Sequence, residues 1–221
     1  MTRVVRTAWS LEQRRPGVPV RLSAFYTRAM AKAPSRVPRG RHAPPREVRE
    51  ELQRERLFEA AARVFSQSGY ADASAEAISR AAGMSKATFY EHFGNKKECL
   101  LEIMDEASRR SLEELVEAAR QAGDDPLERH RAGLHAFLHL VASAPEIGRT
   151  ALVVSVGAGE EALERRDAIL EGFAQVMYNE ALEGVKKRGG GQRFATVEDA
   201  FAVVGAMVEL MSRQLRTGRP A

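Results

Sequence analysis

Between Gly69 and Asn95 the chain stops and restarts a helix three times. Gly69 ends a helical pattern that places Leu57, Ala61, Val64 and Phe65 on one face. Ser74 then caps a short segment carrying Ile78, Ala81 and Ala82, and Gly83 breaks it. Ser85 caps the next segment, with Phe89 and Phe93 at i, i+4, before Gly94 and Asn95 break again. Asn95 and Glu98 have capping-box spacing for a long helix with Leu100, Leu101, Met104, Leu112 and Leu115. Segments this short cannot each hold a core. They must share one, built from Leu57, Val64, Phe65, Ile78, Ala82, Phe89 and Phe93, with Ser79 where two helices approach closely. The tight turn at Gly83–Met84 makes the pair around it a helix-turn-helix.

The rest of the chain is also helical in pattern, at about 126–143, 145–156, 160–188 and 196–216. No segment alternates as a strand would, and no internal repeat is visible. The expectation is an all-α chain of 221 residues in three parts. Residues 1–43 are a basic, disordered arm, 44–95 a helix-turn-helix DNA-binding domain, and 96–221 a second, larger helical domain. "GAGEE" (Gly157–Glu161) and the triplet Gly189–Gly191 follow helices rather than strands, so they read as connectors and not phosphate loops.

Charge separates the arm from the rest. Residues 1–46 carry eleven Lys or Arg against Glu12, a net +10; the remainder carries 23 basic and 29 acidic residues, a net −6, giving the overall +4. Six of the nine prolines lie before residue 46. A proline-rich segment with few apolar groups does not offset the entropy of ordering itself, and a basic block at a chain end suits a polyanion. Its arginines either solubilise the chain or reach a minor groove. Met30 lies inside the arm and is an alternative start. The single cysteine, Cys99, excludes an intrachain disulfide. The run Ala200–Met211 has twelve residues where a membrane span needs about 20. A cytoplasmic protein with no membrane partner is expected.

The outward face of the second helix of the pair carries Lys86, Ala87, Thr88, Tyr90, Glu91 and His92. A helix of this kind fits the major groove. Lys86 and Thr88 stand at its leading end, within reach of base edges and phosphates, while Tyr90 and His92 can donate to phosphate oxygens. Lys96 and Lys97 sit in the first turn of the next helix, where the dipole disfavours them unless an anion is bound. The hydroxyls of Ser74 and Ser85, and Arg46 and Arg49 at the base of the arm, complete the DNA-facing set.

The stretch "LFEAAARVFSQSGYADASAEAISRAAGMSKATFYEHFGNKKECLLEI" resembles the DNA-binding domain of the TetR family of bacterial regulators, from about Arg54 to Ile103. The resemblance implies DNA contacts from Lys86, Ala87, Thr88, Tyr90, His92 and Lys96, and a phosphate-contacting cap at Ser74. Ala73 stands where threonine is common and Ala77 where an acid is common, and the arm exceeds the usual length. Beyond residue 103 the chain resembles the family only in layout, which implies that 96–221 is a helical regulatory and dimerisation domain that pairs through its last two long helices.

Ala200–Met211 holds one charge, Glu209, so this helix needs cover on nearly every side. A two-fold partner supplies it, with Leu170, Phe173, Met177, Phe201, Val204, Met207, Val208 and Met211 as the expected interface; Leu163 and Val185 extend the face of the preceding helix. Burial of both faces within one subunit is the alternative. Met104, Leu134, Phe137, Leu138, Val141, Leu152, Val156, Phe173 and Met177 are candidate walls of a ligand pocket, with His135 or His139 as a polar anchor. The same list also describes a filled core. His135 and His139 have metal-sharing spacing, but no third ligand or zinc-hydrolase acid accompanies them, so no metal or cofactor is expected. Cys99 reads as a small helix residue, or as a thiol sensor if Lys96 lowers its pKa.

The resulting expectation is a homodimeric repressor and not an enzyme. It would bind a pseudo-palindromic operator in double-stranded DNA and be released by a small, largely apolar effector. Two other classes compete with it: a sequence-nonspecific DNA-organising protein, which the arm fits, and a helical metal-dependent enzyme.

Overall fold

The computed structural model describes residues 45–188 and 194–219, and side chains up to Glu183 in the first of these stretches. The basic arm, the triplet Gly189–Gly191 and the side chain of Val185 lie outside the described residues. Among the described residues the regular elements are all helices. In chain order they are α1 (Arg46–Asp72), α2 (Ala75–Ala82), α3 (Lys86–His92), α4 (Lys96–Gln121), α5 (Pro126–Ser143), α6 (Pro145–Leu152), a 3-10 turn (Val154–Gly157), α7 (Glu160–Arg188) and α8 (Val197–Thr217). The all-α expectation holds, and the helix limits fall within a few residues of the sequence pattern.

The punctuation works as its chemistry demands. Gly69 breaks α1 at φ 77°, a left-handed position that favours glycine, and the chain resumes helically to Asp72. Gly83 (φ 67°) closes α2: its N–H reaches the Arg80 carbonyl and the Met84 N–H the Ser79 carbonyl, a Schellman arrangement. The Asn95 side chain accepts from the Lys97 and Glu98 amides, both at 2.9 Å. Glu98 reaches one residue beyond the expected capping box, accepting from the Gly94 amide at 2.9 Å. A full capping box stands instead at α8, between Thr196 and Asp199.

One core crosses the boundary drawn at residue 95. It joins Leu57, Phe65, Ile78, Phe89 and Phe93 to Leu100, Ile103 and Met104, and continues to Leu140, Ile147 and Ala162. Helix α4 therefore belongs to both halves. The consecutive alanines Ala60, Ala61 and Ala62 are buried; beside them the Thr150 hydroxyl of α6 donates to the Ala62 carbonyl at 3.0 Å. Arg149 extends the seam, donating to the carbonyls of Ser66 in α1 (3.0 Å) and Leu215 in α8 (2.6 Å). A smaller cluster of Leu170, Ala174, Ala200, Val204 and Val208 packs α7 on α8.

The α5–α6 hairpin depends on a close approach at Gly148. A Cβ there would lie 2.8 Å from Cγ1 of Val141, a stiff β-branched side chain. Gly148→Ala gains helix propensity of about 1 kcal/mol but forces overpacking that costs about 1–3 kcal/mol. A net loss of about 1 kcal/mol is expected, read as a lower urea midpoint at unchanged m-value.

Candidate nucleic-acid interface

The outward face of α3 is built from its inward face. Phe89 and Phe93 are fully buried with ring centroids 5.4 Å apart, and they fix the helix on the core. Arg54 of α1 closes the far end: it donates to the His92 carbonyl at 3.2 Å, pairs with Glu102 and lies 4.8 Å over the Phe93 ring. Arg56 donates to the Ala82 carbonyl at 2.8 Å and holds the turn. With both ends fixed, Lys86, Ala87, Tyr90 and Glu91 are exposed and Thr88 is half-buried. The Lys86 ammonium stands 5.9 Å from the centre of the Tyr90 ring, so the two share one surface.

Ser85 caps α3, accepting from the Thr88 amide at 3.1 Å, and the two hydroxyls bond to each other at 2.9 Å. Ser74 caps α2 through the Ala77 amide at 3.1 Å and remains exposed. Arg46 and Arg49 are exposed at the start of α1, and Arg46 pairs with Glu50 at 2.7 Å.

Three members of the sequence-derived set are paired elsewhere or turned inward. Lys96 points inward: its ammonium donates to the carbonyls of Tyr70 (2.8 Å), Ala71 (3.1 Å) and Ala73 (2.9 Å). It thereby ties off the end of α1 beyond the Gly69 break. Lys97 pairs with Glu161 of α7 at 2.5 Å. The His92 Nε2 is buried without a partner, and burial, with Arg54 beside it, holds the imidazole below its ordinary pKa. A contact from Nε2 to DNA would need the ring to turn outward. Cys99 is buried, and desolvation pushes its thiol well up, the opposite of a reactive sensor.

Below this surface, α4 to α8 enclose a cavity of about 270 Å³. Of the expected walls, Met104, Leu134, Phe137, Val141, Leu152, Phe173 and Met177 line it. His135, Leu138, His139 and Val156 do not; all four are exposed. The reason is angular: Gly133, Phe137 and Leu140 define the buried face of α5, and residues 135 and 139 project from the opposite one. Among the described residues, no group of three or more His, Cys, Asp or Glu could hold a metal ion. Neither is any single helix long and apolar enough to cross a membrane.

The expected interface residues also divide. Leu170, Phe173, Met177, Val204, Met207 and Val208 face the cavity inside the subunit, and Met211 is half-buried. Phe201 is exposed near the start of α8. A separate stripe of Ala202, Ala206 and Leu210 lies open on α8; the sequence pattern did not select it, because both sides of this helix are apolar.

Comparison with known proteins converges on the helix-turn-helix. The family model for bacterial regulatory proteins of the tetR family matches residues 57–103. Two curated relatives come from Mycolicibacterium smegmatis. The HTH-type transcriptional regulator EthR is 28% identical over 65% of this chain and 61% of its own length. The HTH-type transcriptional activator FasR is 35% identical over 40% of this chain and 40% of its own. The chain thus spans less than two thirds of the length of both. The solved structure of the fatty acid degradation regulator FadR from Bacillus halodurans shares the fold, with a TM-score of 0.69 over 76% of this chain and 87% of that one, at 19% identity. With that fold around it, the capped, aromatic-anchored α2–α3 pair lies inside a segment, residues 57–103, that is similar to the helix-turn-helix of bacterial regulatory proteins of the tetR family.

Proposed function

We propose that this chain is a homodimeric, sequence-specific repressor that α3 docks on a pseudo-palindromic operator and that a small, largely apolar ligand releases. The observation that carries the reading is the leading face of α3. Lys86, Ala87, Thr88 and Tyr90 form one accessible surface on a helix whose other side is locked by Phe89, Phe93 and Arg54. Such a surface reads base edges, while the Ser74 cap and the arginines at the start of α1 position it on phosphate.

Release follows from what lies between cavity and DNA surface. Helix α6 lines the cavity with Ile147, Gly148, Ala151 and Leu152, and its Thr150 and Arg149 hold α1. A ligand that fits better when α6 has shifted draws the molecule to the shifted form through differential affinity. The stripe on α8 supplies the two-fold interface that sets the spacing of two recognition helices at about 34–36 Å.

The test is selection of bound fragments from genomic DNA at near-physiological salt, then fluorescence anisotropy on the enriched site. One palindromic site is expected. Lys86→Ala should weaken binding to it by about 5- to 150-fold, as loss of a groove contact does. Arg120→Ala, far along α4, should leave binding unchanged. Binding without sequence preference that collapses steeply with salt would instead make the chain a DNA-organising protein. Deletion of the gene should raise transcription from the adjoining promoter; a fall would make it an activator.

A further inference from the structure

We infer that the cavity binds a single-chain amphiphile with an anionic head, and that Arg166 of α7 receives that head. This rests on the ligand-release reading above and adds the chemistry of the ligand. The wall runs along α7 from Arg166 to Glu180, a rise of about 21 Å at about 1.5 Å per residue. Between those ends α7 presents Ile169, Leu170, Phe173, Val176 and Met177. A long apolar channel suits an extended chain better than a compact polar molecule.

The polar groups on the wall differ sharply in how far they are satisfied. The Ser108 and Ser111 hydroxyls donate to carbonyls of their own helix at 2.9 and 2.8 Å. At the Glu180 end, Arg129 pairs with that carboxylate at 2.5 Å. His130 Nδ1 is engaged with the Pro126 carbonyl at 2.7 Å. Arg166 is the exception: its Nε is buried and has no hydrogen-bond partner. A buried guanidinium N–H left unmatched is costly, and its forked donors fit a carboxylate or phosphate. The neighbouring Arg165 already holds Asp105, so that acid is occupied on the adjacent side chain.

The position also explains how a head group could be sensed. Arg166 follows Arg165, which ties α7 to α4 through Asp105, and lies little more than one turn from Glu161, which ties α7 to Lys97 at the base of the DNA-binding helices. An anion drawn to Arg166 acts on the segment of α7 that holds both ties.

Direct binding to the full chain should be measured by calorimetry without DNA, using dodecanoate, dodecanol, dodecyltrimethylammonium and dodecanoyl-CoA. Operator release by each is followed in parallel. Wild type should bind dodecanoate or dodecanoyl-CoA at least about tenfold more tightly than dodecanol, with the cationic analogue weakest. Tighter dodecanoate marks a free carboxylate as the source of the anion, and tighter dodecanoyl-CoA marks a phosphate-bearing head. Arg166→Met should bring the better anion to within about twofold of dodecanol while leaving dodecanol itself unchanged. Arg166→Lys should keep part of the preference, which separates charge recognition from a folding defect. Equal binding of dodecanol and both anions, or a preference that survives Arg166→Met, overturns the inference. Arg166-dependent binding without operator release leaves it standing and removes the release reading instead.

Discussion

Ala206→Glu and Leu210→Glu together will yield a folded monomer of 24.4 kDa by light scattering. Operator affinity will fall at least about 100-fold, because linked recognition helices gain about 10²–10⁴ over single ones. Both residues are exposed, Leu210 at 54%, on a side of α8 away from the buried Val204 and Val208. Glutamate is a good helix former, so neither change disturbs the subunit's own packing. In an isologous interface each substitution is repeated by the partner, and four carboxylates would meet where apolar surface is to be buried. Leu127→Glu is the control: Leu127 is 58% exposed on α5 and should leave the dimer intact. If the double variant keeps twice the monomer mass, the interface lies elsewhere, and the open stripe on α8 needs another occupant.

That stripe shows where sequence reading ran short. Periodicity marks a helix face by contrast, and α8 offers little contrast: Val204 and Val208 stand opposite Ala202, Ala206 and Leu210, which are apolar too. Which of them faces inward is set by α7 and by the cavity, not by the pattern. The histidines failed for a related reason. His135 and His139 share a face as the i, i+4 spacing requires, but α5 turns that face to solvent. Arg165 and Arg166 are indistinguishable in the sequence, and only the packed α7 separates a guanidinium paired with Asp105 from one whose Nε is buried without a partner.

The helix-turn-helix was legible because its signals are local and mutually consistent. Ser74, Gly83, Ser85 and Asn95 each do what their chemistry suggests within four residues of themselves. Phe89 and Phe93 sit on the buried side, leaving Lys86, Ala87 and Tyr90 outside. What stayed hidden were the long-range ties. Arg54 holding the end of α3, and Thr150 and Arg149 joining α6 to α1, connect residues dozens of positions apart. No window of sequence contains them.

Lys96 is the sharpest such case, and it gives the second large expected effect. Lys96→Met will lower the unfolding free energy by about 2–4 kcal/mol, measured by urea at fixed protein concentration. Three carbonyls converge on its ammonium from residues 70, 71 and 73, and the Tyr70 ring centre lies 4.5 Å away. These carbonyls belong to the segment after the Gly69 break, at the negative pole of α1, where a cation is favoured. Methionine keeps the stem but strips the donors, leaving partly buried carbonyls without partners. Because Ser74 begins α2 directly after Ala73, the loosened segment also shifts α2, and operator affinity should fall with stability. The salt dependence separates this from a lost phosphate contact. A lysine that bound phosphate would change the slope of log K against log salt by about one when removed, with stability untouched. A lysine that clamps the chain lowers stability and leaves the slope alone. Lys96→Arg should recover only part of the loss, since a planar fork cannot point donors at three converging carbonyls as an ammonium does.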